Sequence, residues 1–404
     1  MKKPSLLILI IAFVSFVSCK NEADPEADKN FFTKFYDHNG FDTKFIPLDV
    51  AQTSDGGYLV LGLKTTVDPD GDDVNPALIY LMKTDEFGEF KLDNTLEANF
   101  GMPAPSLLEV GGKFYFFGTD NSTTQLMELN EDGTVAQQYN VGGSYPLAAA
   151  VDGSSLLLHS FDAGSRSSVI SVVSTTGVTG SAKGFSIGAA DGEGAPPDNA
   201  IYSHVLRTGR QLPFFVGRIP GGPYYFNGIY NYSLSTVFTD LNNDTPANVV
   251  QGSNVNGGIS ALYPLNGGQF AASRFNFGDN YVMPFLSVPG GSPKAENLSG
   301  YPFPELVQDA PVKITTATIN NNPRILYGSN TRGKQIALYG YNPTDGKLVG
   351  SRYIGFSNSF ELASMKATKD NGLIVLGTTY IAGRFPRIAL FKLSPEALGE
   401  SFQQ

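Results

Sequence analysis

One stretch limits the folds open to this chain more than any other. It is Thr53-Ser54-Asp55-Gly56-Gly57-Tyr58, followed by the apolar run Leu59-Val60-Leu61 and a stop at Gly62. Near the far end it returns as Thr368-Lys369-Asp370-Asn371-Gly372, followed by Leu373-Ile374-Val375-Leu376 and Gly377. Asp-Gly and Gly-Gly pairs supply the positive φ of a tight hairpin, and a short, wholly apolar run after such a turn predicts a strand buried on both faces. A second apolar strand follows each copy, at 78–83 and at 388–393. One supersecondary unit therefore stands at both ends of the chain, and a chain built from such units is an array.

Weaker copies lie between. The expected strands of the first unit are 45–52, 58–63, 78–83 and 90–96, a four-stranded meander. Gly111-Gly112, Asp152-Gly153 and Gly267-Gly268 mark equivalent turns in later units, and the seventh unit spans 362–393. Units four and five carry long insertions, so six or eight units stay open beside seven. A period near 50 residues is a propeller-blade length. The expected fold is all-β: a single β-propeller over 31–404, with seven four-stranded blades. The last unit has three clear strands and 31–36 precedes a complete first unit. The N-terminal strand is therefore expected to complete blade seven and close the ring. No sustained helical pattern is visible. The repeats resemble the T-x-D-G-G-Y propeller repeats of secreted and surface bacterial proteins. The tryptophan that such repeats often carry is absent, and Phe31 or Phe32 is expected in its place.

The N-terminus has its own pattern. Lys2 and Lys3 precede the apolar segment 6–17, which is too short for a standard membrane span and ends in Val17-Ser18-Cys19. It resembles a bacterial lipoprotein signal peptide (1–18), with lipidation of Cys19, the chain's one cysteine. Phe16 stands where such signals usually carry Leu. Residues 19–30 are polar and acidic, as a flexible tether would be. An acidic run behind a lipidated cysteine resembles the surface-export signal of Bacteroidetes lipoproteins. The resemblance implies a lipid-anchored outer-membrane protein, cell-surface facing, with periplasmic facing as the alternative.

Composition excludes some functions. A formal net charge of -10 opposes binding to nucleic acid or anionic lipid. One cysteine permits no intrachain disulfide or thiolate cluster, and three histidines leave little for zinc. No GxSxG, HExxH, P-loop or dinucleotide fingerprint is present, so no catalytic residue is assigned. The acidic pairs Asp191/Glu193 and Glu305/Asp309 would serve glycoside hydrolysis only at a set separation.

Three groups remain as candidates. Asp68, Asp70 and Asp72 alternate as in a calcium loop, but the glycine falls at 71 and the downstream Glu is missing; a solvated acidic loop is the alternative, as it is for Asp240 to Asp244. No other cofactor is expected. Tyr224, Tyr225, Tyr230 and Tyr232 with Arg218 have the composition of a recognition surface, against which stands ordinary inter-blade packing. His204, Arg207 and Arg210 would line a channel mouth or be exposed strand residues. The reading that unites these features is a protein-binding or assembly module of the envelope, such as an accessory subunit of an outer-membrane transport or secretion complex. A carbohydrate-binding lipoprotein and a propeller hydrolase or lyase are the alternatives.

Overall fold

The computed structural model describes residues 28–37, 42–68, 70, 73, 77–120, 123–143, 145–189, 197–355, 358–380 and 385–402. Within them the chain forms seven antiparallel four-stranded sheets, the blades of a propeller. Blade one is β2 (Thr43–Gln52), β3 (Tyr58–Thr66), β4 (Leu78–Thr84) and β5 (Phe90–Thr95). Blade two is β6 (Leu108–Val110), β7 (Lys113–Thr119), β8 (Thr124–Leu129) and β9 (Val135–Asn140). Blade three is β10 (Tyr145–Asp152), β11 (Ser155–Asp162), β12 (Ser167–Ser174) and β13 (Thr179–Ser186). Blade four is β14 (Phe215–Arg218), β15 (Tyr224–Tyr230), β16 (Ser233–Thr239) and β17 (Asn248–Val250). Blade five is β18 (Gly257–Pro264), β19 (Phe270–Asn276), β20 (Asp279–Leu286) and β21 (Tyr301–Pro302). Blade six is β22 (Val312–Ile319), β23 (Asn322–Asn330), β24 (Ile336–Tyr341) and β25 (Leu348–Ile354). Blade seven joins β26 (Phe360–Ala367), β27 (Leu373–Thr379) and β28 (Arg387–Leu393) to β1 (Phe32–Tyr36).

Closure is as the sequence predicts. β1 pairs antiparallel with β28, Phe32 opposite Lys392 and Tyr36 opposite Ile388, and is the outermost strand of blade seven. Phe32, not Phe31, turns inward: Phe32 is buried, its ring meeting the edge of Tyr58, whereas Phe31 is exposed. The Tyr36 hydroxyl donates to the Gly88 carbonyl of blade one at 2.7 Å. The strand thus seals two blades at once.

The core follows from the alternation of burial across each sheet. Middle strands such as β24 and β28 are buried along their whole length, while β5 and β9 are largely exposed. Apolar side chains on both faces of the middle strands pack against the next blade, giving buried clusters that each bridge neighbouring blades. The cluster between blades three and four also takes in α1 (Pro197–Val205) through Ile201 and Val205.

The repeated motif is a structural lock. Gly56 donates its amide to the Thr53 carbonyl at 3.2 Å and carries φ +84°. Five residues, 53–57, separate the paired residues Gln52 and Tyr58, so this is a longer turn than the two-residue hairpin that its glycines predict. Lys83, on β4, donates to Thr53 Oγ1 and Asp55 Oδ1, each at 2.7 Å, and the Thr53 hydroxyl donates to Asp55 at 2.6 Å. Gly57 is required for room: a Cβ there would strike the Thr84 carbonyl and the Lys83 ammonium. In blade seven Thr368, Asp370, Gly372 and Lys392 repeat this arrangement, with Asn371 at φ +62° in the place of Gly56. Both locks belong to the blades that meet at the closure.

Two short helices depart from the all-strand expectation. α1 crosses from blade three to blade four. α2 (Pro395–Ser401) follows β28; Ser394 caps it by accepting from the Ala397 amide, and Leu398 and Phe402 are buried between blades six and seven. Among the described residues no helix is long and apolar enough to cross a membrane.

Candidate functional site at the mouth of the central channel

The innermost strands begin on one face of the disk and end on the other. Turns between first and second strands, and between third and fourth, share the face where the locks lie; we call it the turn face. Connections between second and third strands, and between blades, share the opposite face. On that second face the early residues of the innermost strands surround a cavity of about 410 Å³. Leu48, Leu262, Ile314 and Leu362 give it apolar walls, and α1 with the segment that follows it brings in His204, Arg207 and Arg210. Of the two readings open for these last three residues, the channel mouth is the one observed. A second cavity, of about 340 Å³, opens among the late residues of the same strands, near Gln52, Glu109 and Lys366.

The wall between the two cavities is tied by Asp49 on β2. Its carboxylate accepts from the Leu107 amide and the Ser364 hydroxyl, each at 2.6 Å, from Lys366 Nζ at 2.7 Å, and from its own neighbour, the Val50 amide, at 2.9 Å. Blades one, two and seven are joined at this one side chain. Asp309 is likewise engaged, with Arg210 at 3.2 Å and the Gly278 amide at 3.0 Å. Glu305 accepts from the hydroxyls of Tyr339 and Tyr353 at 2.6 and 2.9 Å. Glu305 and Asp309 therefore serve different partners, and Asp191 and Glu193 lie outside the described residues.

The cations are less well matched. Arg207 donates to Gln211 Oε1 at 3.1 Å; Lys313 pairs with Gly328 through the strand backbone, but its side chain makes no hydrogen bond or ion pair among the described residues. Both side chains are half-buried and face the cavity, whose walls remove part of their hydration. Burial lowers the Arg207 guanidinium to about 10. Burial also lowers the Lys313 ammonium; nearby Asp49 acts against the shift, and the Lys366 and Arg207 charges add to it. His204 is held neutral, its pKa lowered to about 3 by burial and then by the Arg207 charge and His159. Its Nδ1 accepts from the Leu212 amide at 3.0 Å and its ring meets the edge of Phe214, so it supports the mouth instead of facing a ligand.

The tyrosine group is divided between the two faces. Arg218 and Tyr224 pair at the turn-face end of β14 and β15, with the guanidinium 4.6 Å from the ring centre and 3.1 Å from Asp152. Tyr225 is buried, edge-on to Phe270 across the interface with blade five. Tyr230 and Tyr232 lie at the other end of β15, where Tyr230 meets Phe185 and the Tyr232 hydroxyl accepts from the Ala189 amide at 2.7 Å. The five residues do not form one surface.

Of the calcium candidates, Asp72 lies outside the described residues. Asp68 accepts from the Asp70 amide at 3.0 Å, a turn that the loop makes on itself. Asp240 does the same with the Asn242 amide at 2.9 Å, and Asp244 pairs with Lys183. Among the described residues no group of three or more His, Cys, Asp or Glu side chains is placed to hold a metal. The residue that sequence reasoning missed is Lys313. Only its position, second in a strand that opens a blade, hinted that it would face the channel.

No family model matches the chain, and no curated protein matches it. Solved structures do. A chain of the mitotic checkpoint complex is 11% identical, with a TM-score of 0.49 and coverage of 94% of this chain and 98% of that one. The NanB sialidase from Streptococcus pneumoniae is 11% identical, with a TM-score of 0.49 and coverage of 93% and 72%. A candidate 6-phosphogluconolactonase from Bacteroides fragilis is 13% identical, with a TM-score of 0.43 and coverage of 85% and 98%. At such identities and TM-scores these likenesses carry no argument about function, and the propeller rests on the strand topology.

Proposed function

We propose that this propeller is a protein-binding module of the cell envelope, held at the outer membrane through lipidated Cys19 and serving as an accessory subunit of a transport or secretion complex. The observation that supports the reading is the direction in which β1 runs. Lys29 pairs with Glu86, in the turn between the third and fourth strands of blade one, at 3.3 Å. β1 then runs from the turn face toward the face of the channel mouth. An anchor preceding β1 would hold the turn face toward the membrane and present the channel mouth to a partner. Leu206 and Phe277 are large apolar residues on that presented face, and they are 54% and 69% exposed. Exposed apolar side chains around a polar opening suit protein contact.

The test is site-specific photo-crosslinking in the native host. Crosslinkers replace Leu206 or Phe277 on the mouth face, and Lys347 on the turn face. The reading expects one stoichiometric envelope protein from the first two positions and not from the third. It also expects Cys19→Ser to release the protein from the membrane fraction. Equal capture from both faces, or no reproducible partner, sinks the assembly reading; unchanged membrane association of the Cys19→Ser protein sinks the anchor.

A further inference from the structure

We propose that the channel-mouth cavity binds a small organic anion, its oxyanion head held between Lys313 and Arg207 and its apolar body against the Leu48, Leu262 and Leu362 walls. The inference does not rest on the envelope assignment.

The argument starts from charge. The protein as a whole carries a formal net charge of -10, yet Lys313, Lys366, Arg207 and Arg210 converge on the channel. Two of these cations are answered within the chain, Lys366 by Asp49 at 2.7 Å and Arg210 by Asp309 at 3.2 Å. Glu361, the remaining acid at the rim, interacts with Tyr380 at the end of its own blade. Neither Lys313 nor Arg207 forms a direct ion pair with a described carboxylate; Asp49, already paired with Lys366, acts on Lys313 only from a distance.

Both cations line one walled cavity, where burial disfavours the charged form of each and the Arg207 charge adds to the cost at Lys313. Desolvated charges without an internal partner are a mark of ligand sites. The two groups are also complementary. The guanidinium offers a planar fork that matches carboxylate, sulfate or phosphate, and the ammonium adds a point charge from a different blade.

The cavity fixes the rest of the ligand. Its volume of about 410 Å³ lies in the range of small-molecule sites, and it combines apolar walls with few polar groups. The neutral His204 ring, braced by the Leu212 amide and Phe214, keeps the helix end that precedes Arg207 in place without adding charge. A hydrated inorganic ion would leave the leucine walls unused. An oxyanion on an aromatic or branched aliphatic body uses both.

The test is calorimetric titration of the purified full-length protein with benzoate, phenyl phosphate, inorganic phosphate and, as the neutral analogue, benzyl alcohol, at fixed ionic strength. Saturable binding is expected for benzoate or phenyl phosphate, with weaker binding of inorganic phosphate and none of benzyl alcohol. Lys313→Met and Arg207→Gln are each expected to weaken binding by about tenfold to a hundredfold, the loss of one charge-assisted hydrogen bond. Lys34→Met, on the rim, is expected to change nothing. In chloride buffer Lys313→Met should melt no lower than the wild type, since it removes a strained charge. If that variant fails to fold, protection of Lys313 from amine acetylation by benzoate in the wild type, read by peptide mass spectrometry, decides the question. No saturable binding of either organic anion overturns the proposal. So do equal binding of benzyl alcohol, unaltered affinity in both variants, and an acetylation rate that benzoate does not change.

Discussion

Asp49 accepts a 2.7 Å hydrogen bond from the ammonium of Lys366, which lies 317 residues later in the chain. The two stand on the innermost strands of blades one and seven, so the ring is sealed at its centre by this pair and at its rim by β1. Asp49 also accepts from the Leu107 amide at the start of blade two at 2.6 Å. Asp49→Ala would strand that amide and leave Lys366 without its carboxylate, with the Leu107 carbonyl at 2.9 Å and some access to water remaining. We expect a loss of about 2–4 kcal/mol in urea unfolding. Asp49→Asn should recover part of it, because an amide oxygen still accepts from Leu107. A loss under about 0.5 kcal/mol, the usual scale of surface changes, would show that the hub is ornamental.

The rim seal makes a separate prediction. Deleting residues 31–37 removes the outer strand of blade seven and the Phe32 and Tyr36 side chains from the cluster that joins blades seven and one. The ring should lose cooperative unfolding, and the single change Phe32→Ala should cost about 3–5 kcal/mol, as for other buried aromatic truncations. An unchanged melting temperature for the deletion would mean that β28 tolerates a bare edge.

Two glycines in different surroundings should behave differently. Gly57→Ala places a methyl group against the Thr84 carbonyl and the lock lysine, whereas a methyl group at Gly101 meets nothing within 4 Å. Thermal melts should show a large loss for the first substitution. The second should be neutral or gain about 0.4–1 kcal/mol through the unfolded chain. Equal effects would mean that the turn relaxes freely.

The lock also titrates. Burial works against ionisation of Asp55, but hydrogen bonds from Lys83, Thr53 and the Gly57 amide outweigh it and hold the group at about 2. Asp370 is displaced in the same direction, burial again being outweighed by Lys392 and Thr368. A carboxyl whose folded pKa lies below its unfolded value stabilises fully above the unfolded value, near 4, and loses that contribution as pH falls through the folded value. Asp55→Asn should therefore flatten the fall in melting temperature between about pH 4 and pH 2 relative to the wild type. Parallel curves would place the lock outside the acid transition.

What the sequence made legible was local chemistry repeated. Asp55-Gly56-Gly57 and Asp370-Asn371-Gly372 announce turns wherever they occur, and counting strands between them was enough to put β1 in blade seven. The helices were harder. α1 has nine residues, and of its buried positions Pro197, Ile201, His204 and Val205 one is a proline and one a histidine, so little of an apolar period is written in the sequence. α2 carried a readable start in Ser394-Pro395-Glu396, an N-cap with proline at the first helical position. The site was hidden for a different reason. Arg207 and Lys313 share the cavity only because the ring brings blade six beside the segment that leads into blade four, and no local pattern records a meeting across a closed circle. The tyrosines misled in the opposite sense: close in sequence, they point to two faces because a seven-residue strand separates their ends.

The pairing of β1 with β28 also sets an order of events during synthesis. Asp37 and its partner Arg387 are 350 residues apart. At the usual rate of chain growth, roughly 5–20 residues per second, the first strand is made about 20–70 s before the last one exists. For that time β1 lacks its strand partner, and Phe35 lacks the Phe360 and Phe391 rings on which it packs. A chain delivered N-terminus first cannot finish its ring by folding as it emerges. It must keep its opening segment soluble and uncommitted until the final blade arrives, which makes any holding factor that shields residues 31–37 a determinant of yield and leaves the finished protein unaltered.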